Sequence, residues 1–293
     1  MSNYSIFVDS SADLDQQFVK GNDIHIVAMS YTLGNEDRDC TKMEEEDVLK
    51  RFYDGQRNGD ITHTSQVSPQ QYLDAFDPVL AAGKDILYIS LSGGLTNSHD
   101  SIHLAKLELH ERYPKADVYA IDSLCATSGI GLLAELAVKN RNNGMTVAEN
   151  ALNIEKMKHH VCHLFMVEDL MYLKRGGRIP AATAVIGTAL SVKPILVIDE
   201  QGKLRVVDKK RGRKHAAEEM LERYKCSRDP ESHRITIVHA DAPGLASILA
   251  EGVKEIDRQA DIAVWLLSPI IGAHTGPGMA ALIYFGNRTE ITQ

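Results

Sequence analysis

Short apolar runs that break off into hydroxyl or acidic residues restrict the fold of this chain more than any other feature. In the first half they occupy residues 5–9 (SIFVD), 24–31 (IHIVAMSY), 86–90 (ILYIS) and 118–122 (VYAID). Between them lie longer segments with helical periodicity, near residues 48–57, 69–81, 98–112 and 126–140. Strands alternating with helices predict an α/β domain whose mainly parallel sheet is covered by helices. Three of the runs lead straight into Asp9-Ser10-Ser11, Ser90-Leu91-Ser92-Gly93-Gly94 and Asp122-Ser123. In open α/β sheets ligands gather outside the carboxyl ends of the strands, where following helices turn free N–H groups and positive dipole ends outward.

The pattern changes in the second half. After a polar stretch at residues 140–144 and a helix near 147–159, a new strand is expected at 163–167, which places a domain boundary near residue 158. An N-terminal α/β domain would then span residues 1–158 and a C-terminal one residues 159–293. A hairpin around Glu200-Gln201-Gly202 joins expected strands at 195–199 and 204–207, and further strands at 235–239, 262–267 and 282–285 suggest a mixed sheet. The 293 residues suffice for two such domains, and 44% hydrophobic with 25% charged residues fits a soluble globular protein. The balance of 32 basic against 40 acidic residues argues against a surface devoted to nucleic acid or anionic membrane. Cys40, Cys125, Cys162 and Cys226 form no CxxC pair, so reduced thiols are expected. The stretch MSNYSIFVDSSADLD lacks the basic start and apolar run of a signal peptide, and no apolar run approaches a membrane span. A cytoplasmic location is the expectation.

The segment 86–100, ILYISLSGGLTNSHD, reads as a strand, a Ser/Gly turn and a helix opening. Gly93 and Gly94 would let a ligand approach the backbone, and Ser92, Thr96 and Asn97 with free N–H groups could accept a carboxylate or a phosphate. An ordinary capped turn accounts for the same residues. In THTSQVSP, Ser68 is the natural cap of a helix starting at Pro69, which leaves Thr64 and Ser65 as ligand candidates or as parts of a solvated loop. Near the C-terminus, glycines and prolines around His274 and Thr275 shape a loop that pre-positions two polar groups, against the alternative of a tight turn with an incidental histidine. LKRGGRIP carries two arginines suited to an anion, or to salt bridges with Glu168 and Asp169. The basic run Lys209-Lys210-Arg211-Gly212-Arg213-Lys214 reads best as an exposed strand end and helix start. Residues 181–196, AATAVIGTALSVKPIL, could line a narrow tunnel or simply belong to the core.

Sharper catalytic signatures are missing: no GxSxG, P-loop or HExxH occurs. Asp9 and Asp122 fit caps or ligand loops better than nucleophiles or magnesium ligands, and His159, His160 and His163 make a poor metal set. An enzyme acting on acyl or phosphate esters through Ser92 or Thr64 with His274 would lack an evident acid to orient the histidine.

Taken in order, FVDSSADL, THTSQVSP, SLSGGLTNS, YAIDS, LKRGGRIP, LSVKPIL and IGAHTGPG give the chain a resemblance to the DegV family over nearly its whole length. The resemblance implies a two-domain α/β protein that buries one long-chain fatty acid, such as palmitate, between its domains. It implies no metal or cofactor and only transient membrane contact. Family members include the fatty-acid-binding subunits of bacterial fatty acid kinase, which present the carboxylate to a separate ATP-using kinase subunit and are not themselves the phosphotransferase. By position, the implied carboxylate contacts fall on Thr64 and Ser65, on Ser92, Gly93, Gly94, Thr96 and Asn97, and on His274 with Thr275. The RGGR arginine falls on Arg175, implying contact with the kinase. The chain departs from the family pattern SSGLSGT at Gly93 and at Thr96-Asn97.

Overall fold

The structure, a computed structural model, describes residues 3–34, 36–41, 44–181 and 191–292. Strands β1 (Tyr4–Asp9), β2 (Ile24–Val27), β3 (Met29–Leu33), β4 (Glu36–Cys40), β5 (Thr64–Ser65), β6 (Asp85–Ser90) and β7 (Val118–Asp122) belong to the first half. Four of them form a wholly parallel sheet in the order β2-β1-β6-β7. Every residue of β1 is buried, as a strand covered on both faces requires. Capping boxes start two of the covering helices, Ser68 with Gln71 before Pro69–Ala81 and Thr146 with Glu149 before Val147–Met157.

The second half contributes β8 (Val161–Met166), β9 (Val192–Ile198), β10 (Leu204–Arg211), β11 (Arg234–His239), β12 (Asp261–Leu266) and β13 (Ala280–Phe285). They make a mixed sheet in the order β10-β9-β8-β13-β11-β12, in which β11 and β12 are parallel and the other pairs antiparallel. The protein is therefore two α/β domains, one with a parallel sheet and one with a mixed sheet. Alternation along β8 decides how they meet. Cys162, Leu164 and Met166 face a core shared with residues of helices Arg213–Ser227 and Pro243–Ile256. Val161 and Phe165 join a larger core that also holds Val8, Leu91 and Ile130 of the first domain. The inner face of the mixed sheet thus lies against the carboxyl ends of the parallel strands.

Three local expectations need correction. The run 24–31 breaks at Ala28 into β2 in the parallel sheet and β3 in a separate antiparallel sheet, β4-β3-β5. Ser10 fixes the break, its backbone N–H donating to Val27 O and its hydroxyl accepting from Met29 N. Thr64 and Ser65 form a short strand rather than a loop, pairing with Tyr31 and Ser30. His274 and Thr275 close a helix, Pro269–Thr275, instead of lying in an irregular loop. Of the expected tunnel segment 181–196, positions 182–190 lie outside the described residues; Ala181 is exposed and Val192–Ile198 is strand β9.

Candidate functional site

A cavity of about 510 Å³ opens where the two domains meet. Its walls are mostly apolar, with Met29, Leu91 and Leu95 from the first domain and Phe165, Ile198 and Ile283 from the second. Polar groups gather at Thr64, Gln66, Thr96, Asn97, Arg178, His274 and Thr275. An apolar pocket with a few convergent polar groups is the usual form of a small-molecule site.

Thr64 and His274 come together across 210 residues of chain, Thr64 Oγ1 lying 2.8 Å from His274 Nε2. Their elements are held by bonds between the domains: Tyr53 OH donates to Leu267 O at 2.8 Å, Gln56 Nε2 to Gly272 O at 3.1 Å and Thr62 Oγ1 to Ala273 O at 3.2 Å. On the other side of the ring stands Gly176, where a Cβ would come within 2.4 Å of His274 Nδ1. The RGGR glycine therefore permits the close approach of helix Met171–Arg175 to the imidazole. Burial, reinforced by the Arg178 guanidinium and by His63, pushes the His274 pKa down to about 4. The ring is neutral at physiological pH. No acid orients it among the described residues, so it is a weak base and a ready hydrogen-bond partner.

Arg178 decides the electrostatics of this end. Its Nε donates to Leu95 O at 3.1 Å and Nη1 to Gly176 O, leaving Nη2 without a partner among the described residues. Burial lowers its pKa below the usual guanidinium value, and no described carboxylate pairs with it. Glu168, one expected partner of the RGGR arginines, instead binds Lys193 Nζ at 2.6 Å and Arg213 Nε at 2.5 Å, and Asp169 accepts the Met171 N–H. A partly buried cation without an anion is costly unless something else supplies the anion. Sequence reading had marked Arg175 as the contact residue and left Arg178 open. Arg175 is exposed, its guanidinium 4.5 Å from the centre of the Tyr172 ring. It borders a second crevice of about 260 Å³ whose wall shares Thr64, Arg178 and His274 with the main cavity. Two arginines flanking two glycines give no signal of which one turns inward.

The remaining sequence candidates fall into two groups. Gly93, Gly94, Thr96, Asn97 and Thr275 line the cavity with Thr64 and His274. Asn97 opens helix Ser98–Arg112 without capping it, and its exposed amide has no partner among the described residues. Thr96 Oγ1 accepts from Ser98 N at 3.2 Å, and Thr275 Oγ1 donates to Ile271 O at 3.4 Å. The Gly93 departure has a local cause: its N–H donates to Asp122 Oδ1 at 3.0 Å, and a Cβ there would stand 2.7 Å from Asp122 Oδ2. Ser92 and Ser65 are not brought to the cavity. Ser65 is exposed on β5, and the buried Ser92 hydroxyl donates to Gly202 O at 2.8 Å while accepting from Gly94 N at 3.1 Å. Pairing of Ser92 with His274 is not part of this geometry.

Sequence reading weighed His163 only as a metal ligand and did not single out Thr127, and both touch the cavity. Burial and the nearby Arg288 push the His163 pKa down to about 3, so this ring too is neutral. Among the described residues no cluster of three potential metal ligands exists, and no helix is long and apolar enough to cross a membrane.

Residues 3–287 match a family model described as an uncharacterised protein of the DegV family. The chain belongs to the DegV family. A DegV domain-containing protein of Clostridium perfringens is 34% identical over 291 residues, covering 99% of this chain and 100% of its own. Among solved structures, a Thermotoga maritima protein described as revealing fatty acid binding function is 25% identical with a TM-score of 0.79, covering 97% of this chain and 100% of its own. The Fatty Acid Kinase (Fak) B3 protein of Streptococcus pneumoniae, solved loaded with linoleic acid, shares the fold at a TM-score of 0.84 and 21% identity, covering 97% and 99%. The two-domain architecture of this DegV chain is the one these structures share.

Proposed function

We propose that this DegV protein binds one long-chain fatty acid with its tail in the apolar cavity and its carboxylate at the Thr64, Asn97, Arg178 and His274 end. The observation that carries the reading is Arg178, a half-buried guanidinium in an apolar wall with one nitrogen free and no acidic partner among the described residues. A carboxylate supplies the missing charge, and neutral His274 with Thr64 adds hydrogen bonds without repelling it. A palmitate-sized tail brings roughly 14 methylenes, and burying each at about 0.8 kcal/mol contributes on the order of 11 kcal/mol before ordering costs. Tail burial therefore supplies affinity, while the polar end fixes depth and orientation.

The second crevice, which reaches the same three polar residues from outside, would leave the carboxylate open to a partner. The reading extends to presentation of that carboxylate to a separate ATP-using kinase subunit for acyl phosphate formation, with exposed Arg175 at the meeting surface and the binder itself supplying no phosphotransfer. Support for this step is the kinship with the S. pneumoniae kinase protein and the crevice geometry. Direct ester chemistry through Ser92 or Thr64 is less favoured, because the Ser92 hydroxyl is engaged by Gly202 and the His274 pKa of about 4 makes a poor base.

Native mass spectrometry and solvent extraction of protein expressed in bacteria test the ligand. One fatty acid per chain is expected. Repeated absence of bound lipid, together with failure of the delipidated protein to take up palmitate or oleate, overturns the reading.

A further inference from the structure

The hairpin joining β9 to β10 forms part of the cavity wall. Its cross-strand pair Ile198 and Leu204 lines the cavity, and the turn between them is closed on itself. Asp199 O accepts the Gly202 N–H at 2.9 Å, Asp199 N donates to Lys203 O at 2.9 Å, and Asp199 Oδ1 accepts from Gln201 N and Lys203 N. Such a turn moves as one piece.

Its fastening to the first domain is narrow. Ser92 Oγ donates to Gly202 O at 2.8 Å and accepts from Gly94 N at 3.1 Å, and it is the one described hydrogen bond from this turn to the strand-end loops of that domain. The fit around it is backbone-close. A Cβ on Gly94 would come within 2.5 Å of Gly202 O, and a Cβ on Gly202, whose φ is +72°, would come within 2.1 Å of Ser92 Oγ. By contrast, helix Pro269–Thr275 and the strand leading to it are held across the domains by Tyr53, Gln56 and Thr62 together. When a buried acyl chain enters or leaves, some part of the wall has to part, and of these two described parts the turn, with fewer cross-domain bonds, opens at the lower free energy.

We infer that Ser92 is a positioning residue: its hydroxyl pins the turn at 199–203 so that Ile198 and Leu204 hold the cavity wall closed, and release of this bond admits and discharges the ligand. The inference rests on the fatty-acid reading of the cavity and gives Ser92 a role other than carboxylate contact. The geometry accounts for a hydroxyl at a strand end that is fully buried yet absent from the cavity lining.

Stopped-flow exchange of cis-parinaric acid, a fluorescent fatty acid, on delipidated full-length protein tests it. Ser92→Ala is expected to speed both uptake and release by about three- to tenfold, the worth of one tertiary hydrogen bond, with a smaller change in Kd. Ser92→Thr, which keeps the hydroxyl, is expected to return both rates toward wild type. Rates within twofold of wild type in Ser92→Ala overturn the inference, and so does faster release with unchanged uptake, the signature of a lost ligand contact. Hydrogen exchange on the unaltered protein keeps the test decisive should Ser92→Ala fold poorly: the Gly94 amide, which the turn covers through Gly202 O, is expected to become accessible at least as fast as lipid leaves, and protection persisting through many release times overturns the inference. A wild-type protein that takes up no fatty acid at all overturns instead the ligand reading beneath it.

Discussion

Two polar clusters lie where the domains meet, one centred on acids and hydroxyls and one on Arg178, His274, Thr64 and Asn97, and they differ in what they leave unbound. In the first, Asp9 accepts from Ser11 N at 3.0 Å, from the Ser11 hydroxyl, from Leu91 N at 2.6 Å and from Tyr88 OH at 3.3 Å. Its neighbour Asp13 accepts from Ser268 N and from Thr127 Oγ1. Both carboxylates are buried and have their donors inside the protein. In the second cluster, Arg178 and Asn97 line the cavity, Arg178 Nη2 and the Asn97 amide have no partner among the described residues, and the Thr64 hydroxyl and the His274 ring pair with each other. Acids and hydroxyls at strand ends are thus not in themselves a site; a binding site is where donors remain after the fold has satisfied its own groups.

The largest effect should come from breaking the first cluster. Asp9→Ala leaves two backbone N–H groups and two hydroxyls without their acceptor in a dry interior. At about 1–3 kcal/mol for each stranded buried group, with partial relaxation, the loss of stability should be about 3–5 kcal/mol. Urea unfolding of the delipidated variant measures it. A loss under about 1 kcal/mol would mean that Asp9 is not the tie between β1 and the Leu91 turn, and the contrast between the clusters would collapse.

That contrast also marks where sequence reasoning works and where it stops. Strand and helix periodicity located β1, β6, β7 and both strands of the β9–β10 hairpin, because buried strands of an α/β fold are continuous apolar runs and Gly202 marks the turn. Strand β4, EDRDC, carries no such run and pairs through its backbone along β3, so no side-chain pattern announces it. Helix Pro269–Thr275 was hidden by its own glycine and prolines, since Gly272 sits inside it to admit the Tyr53 hydroxyl, 2.4 Å from where a Cβ would be. At the candidate site the hydroxyl loops were legible as residue types. Which of them face the cavity was not, because Ser92 turns toward Gly202 and Arg178, not Arg175, turns inward through contacts more than 80 residues away in sequence.

A second, smaller effect separates affinity from stability. Arg178→Ala removes a charge-assisted contact to the proposed carboxylate, worth about 1.5–3 kcal/mol, so fatty-acid Kd should weaken roughly 10- to 150-fold. The apo protein should lose little stability or gain some, because the guanidinium is partly desolvated without an acid to offset it. Calorimetric titration with palmitate and thermal unfolding of delipidated protein give the two numbers. If both fall together, Arg178 belongs with Asp9 as a structural tie.

The smallest effect is in pH dependence, and there the two clusters should pull in opposite directions. Burial raises the Asp13 carboxyl to about 6, so the native state holds a proton that the unfolded chain has released; this stabilisation is full below about 3.8 and is lost as pH rises through about 6. His274, depressed to about 4, acts the other way: its contribution is present above the unfolded value of about 6.5 and is lost as pH falls toward 4. Between pH 4 and 6 the slopes oppose each other. Asp13→Asn should therefore steepen the fall of Tm on going from pH 7 to pH 5, and His274→Gln should flatten it, each by about 2–4 °C, the shift expected for about 1 kcal/mol in a domain of 150–250 residues. Parallel changes in the two variants would show that the protons are taken up elsewhere, whereas opposite changes tie each slope to its own cluster.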